Sequence, residues 1–327
     1  MERTEIFVPG RTELGGNHTD HQGGCVLAAG VSLGMTALAA PNGTDTVNIR
    51  SRGFGEFSVD IGDTEPRPEE AGTSAAFEVL IGRIIDRLFF GKSVPPAALA
   101  RMAQHAENVY FGKPCGLMDQ LVCAVGGIVS ASFADPKAPQ YRQIDYDFAE
   151  SGHALAIIEC GAGHENLTAD YAQITKDMRL IAVDLGHERL CEATAAEFYS
   201  VFPILRQRYG DRPAFRALHF FEETRRAAEE ADALSAGDFD EFLRLYRESA
   251  ESSEQYLQNI VSENEPQHRL QKAIAAARSI LSGAGAVRVH GGGFAGTAQA
   301  FVPVDMKQKF SEEMQSAGFA CLWPEII

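Results

Sequence analysis

The amino-acid sequence predicts an α+β protein. Three features of its order carry that reading: strands fill the first part of the chain, amphipathic helices dominate residues 167–281, and a strand–loop–strand return follows them. Strands and helices that segregate in this way do not build a regular βαβ sheet. At 327 residues the chain is long for one compact domain, so two are expected, with a boundary near residues 160–163 where IIEC runs into GAGH.

The elements follow in chain order. EIFVPG reads as a short strand ending in a turn at Pro9 and Gly10, and CVLAAGVSLGMTALAAP as two short buried strands separated by small residues. Val47, Ile49, Phe54, Phe57 and Val59 alternate as in meander strands joined by glycines. DTEPRPEEAG is polar and proline-rich, hence a loop. Helical spacing appears in AAFEVLIGRIIDRLFF and again in PPAALARMAQHAENVYFG, where Pro95 and Pro96 stand at the helix start and a missing N–H does least harm. KPCGLMDQLVCAVGG reads as a turn and a short helix, and GGIVSASF and HALAIIEC as strands. Amphipathic helices then open at LTADYAQ, ERLCEAT, AFRALHF, DFDEFLR and HRLQKAI. GAVRVHGGGFAGTAQAFVP is a glycine-rich turn between two strands, and DMKQKFSEEMQSAGFACLW a helix plus a strand.

Composition narrows the function. An apolar fraction of 45% marks a globular chain, and a formal net charge of −16 argues against nucleic acid or an anionic membrane surface as partner. A phosphate-bearing ligand would need a local positive site built from helix N-termini, backbone N–H groups, a metal or a few basic side chains. Six cysteines without CxxC spacing read as reduced thiols. No apolar signal core or membrane-length run is present, so a cytoplasmic protein is expected.

Four stretches could carry chemistry. GRTELGGNHTDHQGG, residues 10–24, sets Arg11, His18 and Asp20 among glycines. Aspartate and histidine can make paired hydrogen bonds to vicinal hydroxyls, so the stretch suits a sugar; a solvated turn with Thr19 or Asp20 capping a helix is the bland alternative. GKPCGLMDQ places Asp119 at an expected helix start, after Gly116, where a carboxylate could orient or deprotonate a hydroxyl or serve as a first-turn acid. In VHGGGFAG, residues 289–296, Gly291, Gly292 and Gly293 suit a backbone wrapped close to a ligand, or a tight β-turn. It is neither a Walker loop nor a dinucleotide fingerprint. AGTSAAFE puts Thr73 and Ser74 before a helix, as N-caps or as a phosphate-receiving start. No HExxH, clustered Cys/His set or GxSxG is present.

Together PGRTELGGNHTDHQGG, AENVYFGKPCGLMDQ and AVRVHGGGFAGTAQAFV resemble, in family order and over nearly the whole chain, the three motifs of the galactokinases within the GHMP kinase superfamily. The resemblance implies a two-lobed fold: a lobe like ribosomal protein S5 domain 2 over residues 1–160 plus the C-terminal strand at 318–327, and a ferredoxin-like, helix-rich lobe over 161–317, with the site in the cleft. It implies ATP-dependent phosphorylation of galactose or a close hexose at the anomeric hydroxyl, with Mg²⁺. Asp119 would be the base or orienting group, held ionised by Arg11, which would also stand beside the γ-phosphate. Asn17, His18, Asp20, Gly116 and Tyr171 would bind the sugar; Thr73, Ser74, Gly291, Gly292 and Gly293 would bind nucleotide. The metal ligands and the oligomeric state stay unassigned.

Two departures bear on this. The family usually has Glu where this chain has Asn17, which leaves sugar preference open. The Gly-Ser-rich phosphate loop and a helix of the second motif are missing between residues 70 and 75. The expectation is that the sequence as read omits a mobile loop, because losing a core helix between intact flanks should destabilise the fold; a genuine gap would favour a non-catalytic sugar and ATP sensor. A kinase for another alcohol, such as N-acetylgalactosamine or arabinose, is a further alternative.

Overall fold

The computed structural model describes residues 3–52, 55–63, 65, 74–110, 112, 115–135, 138–161 and 167–327. Contacts divide the chain into two compact units, Met1–Gly10 with Gly34–Val125, and Arg11–Leu33 with Gly126–Ile327. This differs from the boundary expected near residue 160. The reason is a shared core: Leu14, Leu27, Val31, Ile128 and Ile144 are buried with Leu234, Phe242, Tyr246 and Phe301, so early strands and late helices belong to one unit.

Strand β1 runs through Thr4–Gly15 and β2 through Cys25–Ala39. Both are longer than the sequence suggested. Pro9 does not end β1 because β1 lies at the edge of the sheet β1-β2-β5-β6, where a missing N–H breaks no ladder. Gly30 does not break β2 but lets backbone approach it: its N–H donates to the Gly127 carbonyl (2.9 Å) and its carbonyl accepts from Ile327 N–H (3.0 Å).

In the first unit, β3 (Thr46–Ser51) and β4 (Gly55–Asp60) form an antiparallel hairpin with Val47 opposite Val59 and Ile49 opposite Phe57. Phe54 lies outside the described residues. Helices α1 (Ala75–Phe89), α2 (Pro96–His105) and α3 (Met118–Val125) bury Val79, Leu80, Leu99, Ala103, Leu121 and Val122. Pro96 opens α2 as its spacing predicted, and α2 continues into a π-helical turn, Ala106–Tyr110. Arg83 donates to the Ala124 carbonyl and ties α1 to α3. The sequence is continuous from Glu70 to Ala75, so the short connection belongs to the chain and the expectation of an omitted loop is corrected.

In the second unit, β5 (Ile128–Ser132) pairs with residues Cys25–Ala29 of β2, and β6 (Gln140–Ile144) pairs with β5. The sequence reading missed β6 because only Ile144 of its five residues is buried, leaving no apolar alternation to see. A second antiparallel sheet has the order β10-β7-β9-β8, from β7 (His153–Glu159), β8 (Ala286–His290), β9 (Thr297–Pro303) and β10 (Ala320–Leu322). Its strands alternate faithfully. Ala156, Ile158, Val287, Val289, Ala298 and Ala300 face α8 (Arg269–Leu281) and α9 (Lys307–Ser316). Leu155, Ala286 and Phe301 face the core of α6 (Asp211–Ser235) and α7 (Phe239–Ser252). Helices α4 (Thr168–Asp184) and α5 (Ala195–Tyr209) join α6 around Ile174, Met178, Phe198 and Phe220. Among the described residues none of the six cysteines forms a disulfide, and no helix is long and apolar enough to cross a membrane.

Candidate active site

The glycine-rich stretch near the N-terminus is held from inside by α6. The Glu223 carboxylate accepts the N–H groups of Gly16 (3.1 Å) and Asn17 (3.4 Å) and the Ser249 hydroxyl (2.5 Å). Burial alone would raise the pKa of Glu223, but His219, Arg226 and Arg288 around it outweigh that and hold it down at about 2. His219 donates from Nε2 to the Asn17 carbonyl (2.8 Å) and meets the Ser252 hydroxyl at Nδ1 (2.8 Å). Thr19 is not a side-chain cap: its hydroxyl lies 2.8 Å from the Gly16 carbonyl and 2.7 Å from that of Cys25, closing the loop on itself.

The second glycine cluster folds against the first. Asn17 Nδ2 donates to the Gly291 carbonyl (2.8 Å), His18 Nε2 to that of Gly292 (2.9 Å), and the Tyr171 hydroxyl to that of Gly293 (2.9 Å). Asn259 supports the turn from behind, with Nδ2 donating to Gly292 (3.2 Å) and its carbonyl accepting the Phe294 N–H (2.5 Å). Gly293 has φ of 82°, and a Cβ there would lie 2.2 Å from the Asn259 oxygen, so only glycine fits. Burial and the neighbouring His21 ring push the pKa of His18 down to about 4, so its imidazole is neutral near pH 7.

Three of the residues expected to bind sugar, Asn17, His18 and Tyr171, are thus assembled with Gly291, Gly292 and Gly293 in the second unit. Arg11, half-buried on β1, and Asp20, opening the 3-10 turn Asp20–Gln22, belong to the same unit. Asp119, Gly116 and Ser74 belong to the first. Asp119 lies in the first turn of α3, half-buried, with Gly116 just before it. Ser74 is the N-cap of α1, its hydroxyl accepting the Phe77 N–H (3.4 Å). Thr73 lies outside the described residues.

Next to Asp119, buried Gln120 draws two acids together. Its Nε2 donates to Glu107 (2.7 Å) and lies 3.5 Å from Glu78. Glu107 and Gln120 lie inside the motif that carries Asp119, and Glu13 and Arg288 inside the other two, but spacing alone does not distinguish them from their neighbours. Glu223 and Asn259 carried no local signal. Among the described residues no three His, Cys, Asp or Glu side chains gather as a metal set.

Comparison with known proteins places two stretches of the chain in known families. Residues 3–41 match the family model "galactokinase galactose-binding signature", and residues 69–127 match "GHMP kinases N terminal domain". A galactokinase from Glaesserella parasuis is 25% identical, covering 91% of this chain and 85% of that protein. The crystal structure of Lactococcus lactis galactokinase complexed with galactose superposes with a TM-score of 0.81 at 21% identity, over 99% of this chain and 94% of the other. A Streptococcus pneumoniae phosphomevalonate kinase, solved with phosphomevalonate and AMPPNP, superposes with a TM-score of 0.66 at 12% identity, over 99% and 100%. Residues 3–41 thus carry the galactokinase galactose-binding signature and residues 69–127 the GHMP kinase N-terminal domain, in a chain that shares its fold with the galactokinase and the phosphomevalonate kinase.

Proposed function

We propose that this chain transfers the γ-phosphoryl group of ATP to the anomeric hydroxyl of galactose or a closely related hexose. The observation that carries the reading is the galactose-binding signature over residues 3–41, whose Asn17 and His18 side chains bond the 291–293 turn, which Tyr171 also bonds. Asp119 accepts the anomeric proton or orients that hydroxyl, and the oxygen then displaces ADP from the γ-phosphorus. Arg11 neutralises charge on the transferred group. His18, Asp20, Tyr171 and the Gly116 backbone hold the sugar. In such reactions positioning and charge neutralisation supply most of the acceleration.

For the nucleotide, the reading assigns Thr73 and Ser74 at the α1 N-terminus, where first-turn N–H groups favour anions, together with Gly291, Gly292 and Gly293. Glu78 and Glu107, two carboxylates brought to one amide, fit a cation such as Mg²⁺, which binds through one or two carboxylates and the substrate phosphates. Bound there, the ion would screen the phosphate charge.

The test is ADP release with galactose, N-acetylgalactosamine, arabinose and glucose, alongside calorimetric galactose binding. Galactose turnover is expected, and Asp119→Ala should lower kcat by about 10²–10⁴-fold with galactose binding within a few-fold of wild type. Galactose binding without turnover of any sugar would replace the kinase with a sensor, and turnover of another alcohol alone would move the substrate.

A further inference from the structure

We infer that Asn17 is a positioning residue for the 291–293 turn and not a contact to the sugar. The inference rests on the sugar-kinase reading for its consequence, but the bonding that motivates it does not. A primary amide has two N–H donors and an oxygen with two lone pairs. In Asn17 all four are engaged by protein. Nδ2 donates to Glu13 Oε1 (2.9 Å) and to the Gly291 carbonyl (2.8 Å). Oδ1 accepts from Asn259 Nδ2 (2.9 Å) and from the Ser253 hydroxyl at 3.5 Å.

The orientation of the amide is fixed by Gly291 and Asn259: a main-chain carbonyl can only accept, and an amide nitrogen can only donate. The main chain of Asn17 is equally occupied, its N–H by Glu223 and its carbonyl by His219. The residue is 0% exposed. No capacity is left for a hydroxyl of a ligand. The sequence-based assignment of Asn17 to the sugar is therefore replaced.

What the amide does instead follows from its partners. It joins three places distant in sequence: Glu13 on β1, Asn259 beyond α7, and the turn that opens at Gly291. A carboxylate at position 17 could not donate to the Gly291 carbonyl and would stand beside Glu13, so an acid here would push the turn away. Asn17 acts on the reaction through the shape of that turn.

The experiment has two readouts. The first is hydrogen exchange, in protein without ligand, of the Phe294 amide, which donates to the Asn259 carbonyl, and of the Ala295 amide, which donates to the Gly293 carbonyl. Losing one buried hydrogen bond should speed their exchange by about tenfold in Asn17→Ala. Asn17→Asp keeps the size and should match or exceed that. Asn259→Ala combined with Asn17→Ala should give less than the product of the single effects, since the two share a bond. The second readout separates kcat from KM: kcat should fall about tenfold while KM for galactose moves less than about threefold, in Asp as in Ala variants.

A direct sugar contact predicts otherwise. Asn17→Asp would then keep galactose binding, because a carboxylate still accepts from hydroxyls, Asn17→Ala would weaken it tenfold or more, and exchange of the turn would be unchanged. That pattern overturns the inference. If wild type turns over no sugar, the function reading fails, and the exchange data still decide whether Asn17 holds the turn.

Discussion

Arg288 on β8 and Glu13 on β1 form an ion pair in which the guanidinium side chain is 0% and the carboxylate side chain 6% exposed. The pair stitches the first glycine motif to the strand that leads into the third. Arg288 also donates to the Leu14 carbonyl (2.8 Å), the Ser249 hydroxyl (3.1 Å) and the Val289 carbonyl (3.1 Å), so its charge is fully solvated by protein. Removing one partner of a buried pair leaves the other uncompensated, at a cost of about 3–5 kcal/mol. Arg288→Ala should lose that much in urea unfolding. Glu13→Gln should lose clearly less, because burial already raises the Glu13 pKa to about 7 and part of the population is neutral at that pH. Equal losses would contradict this ordering.

Gly15 faces Glu230, whose carboxylate is fully buried and lacks a hydrogen-bond partner among the described residues. A Cβ at position 15 would fall 1.6 Å from Glu230 Oε2. Gly15→Ala should destabilise by about 1–3 kcal/mol through overpacking. Glu230→Ala should restore most of that in the double variant, a coupling that chemical denaturation of the four proteins measures directly. Additive losses would mean the clash is relieved elsewhere.

Two buried groups should pull stability in opposite directions with pH. Burial, and to a lesser degree His219, lowers the pKa of His21 to about 4 from its ordinary 6.5. The unfolded chain therefore binds the proton first, and this contribution is lost as pH falls from 6.5 through 4. The Glu13 pKa is raised, so its contribution is complete below 4.5 and lost as pH rises through about 7. In thermal melts across pH 4–8, His21→Gln should gain on wild type toward acid, and Glu13→Gln should gain on wild type from pH 4.5 to 7. Parallel curves for wild type and variants would refute both assignments.

Cys115, in the CGLMDQ motif, should resist alkylation. Burial first, and the nearby Glu107 second, push its thiol up to about 12. With an ordinary thiol near 8.5, the thiolate fraction at pH 8 is lower by about 10³-fold, and labelling monitored by peptide mass should slow accordingly. Glu107→Gln should accelerate it. Labelling at the rate of a free thiol would show that the Cys115 environment is more polar than its neighbours imply.

What the sequence determined by itself was local. Helices α1, α2 and α4 to α8 were legible because their apolar spacing repeats within a turn or two, and the 291–293 turn because glycine marks backbone that no other residue tolerates. The three short motifs also pointed to the superfamily, since residue identity at close spacing survives without knowledge of partners. Tertiary structure alone decided the rest. It carried β1 through Pro9 by placing it at an edge, and drew the units apart at residues other than the expected 160. It also converted Asn17 from an expected sugar ligand into the clasp of a turn. Three of the four partners that saturate that amide lie 236, 242 and 274 residues away, at Ser253, Asn259 and Gly291. Hydrogen-bonding capacity is finite, and what occupies it is settled by neighbours in space, which a one-dimensional pattern does not contain.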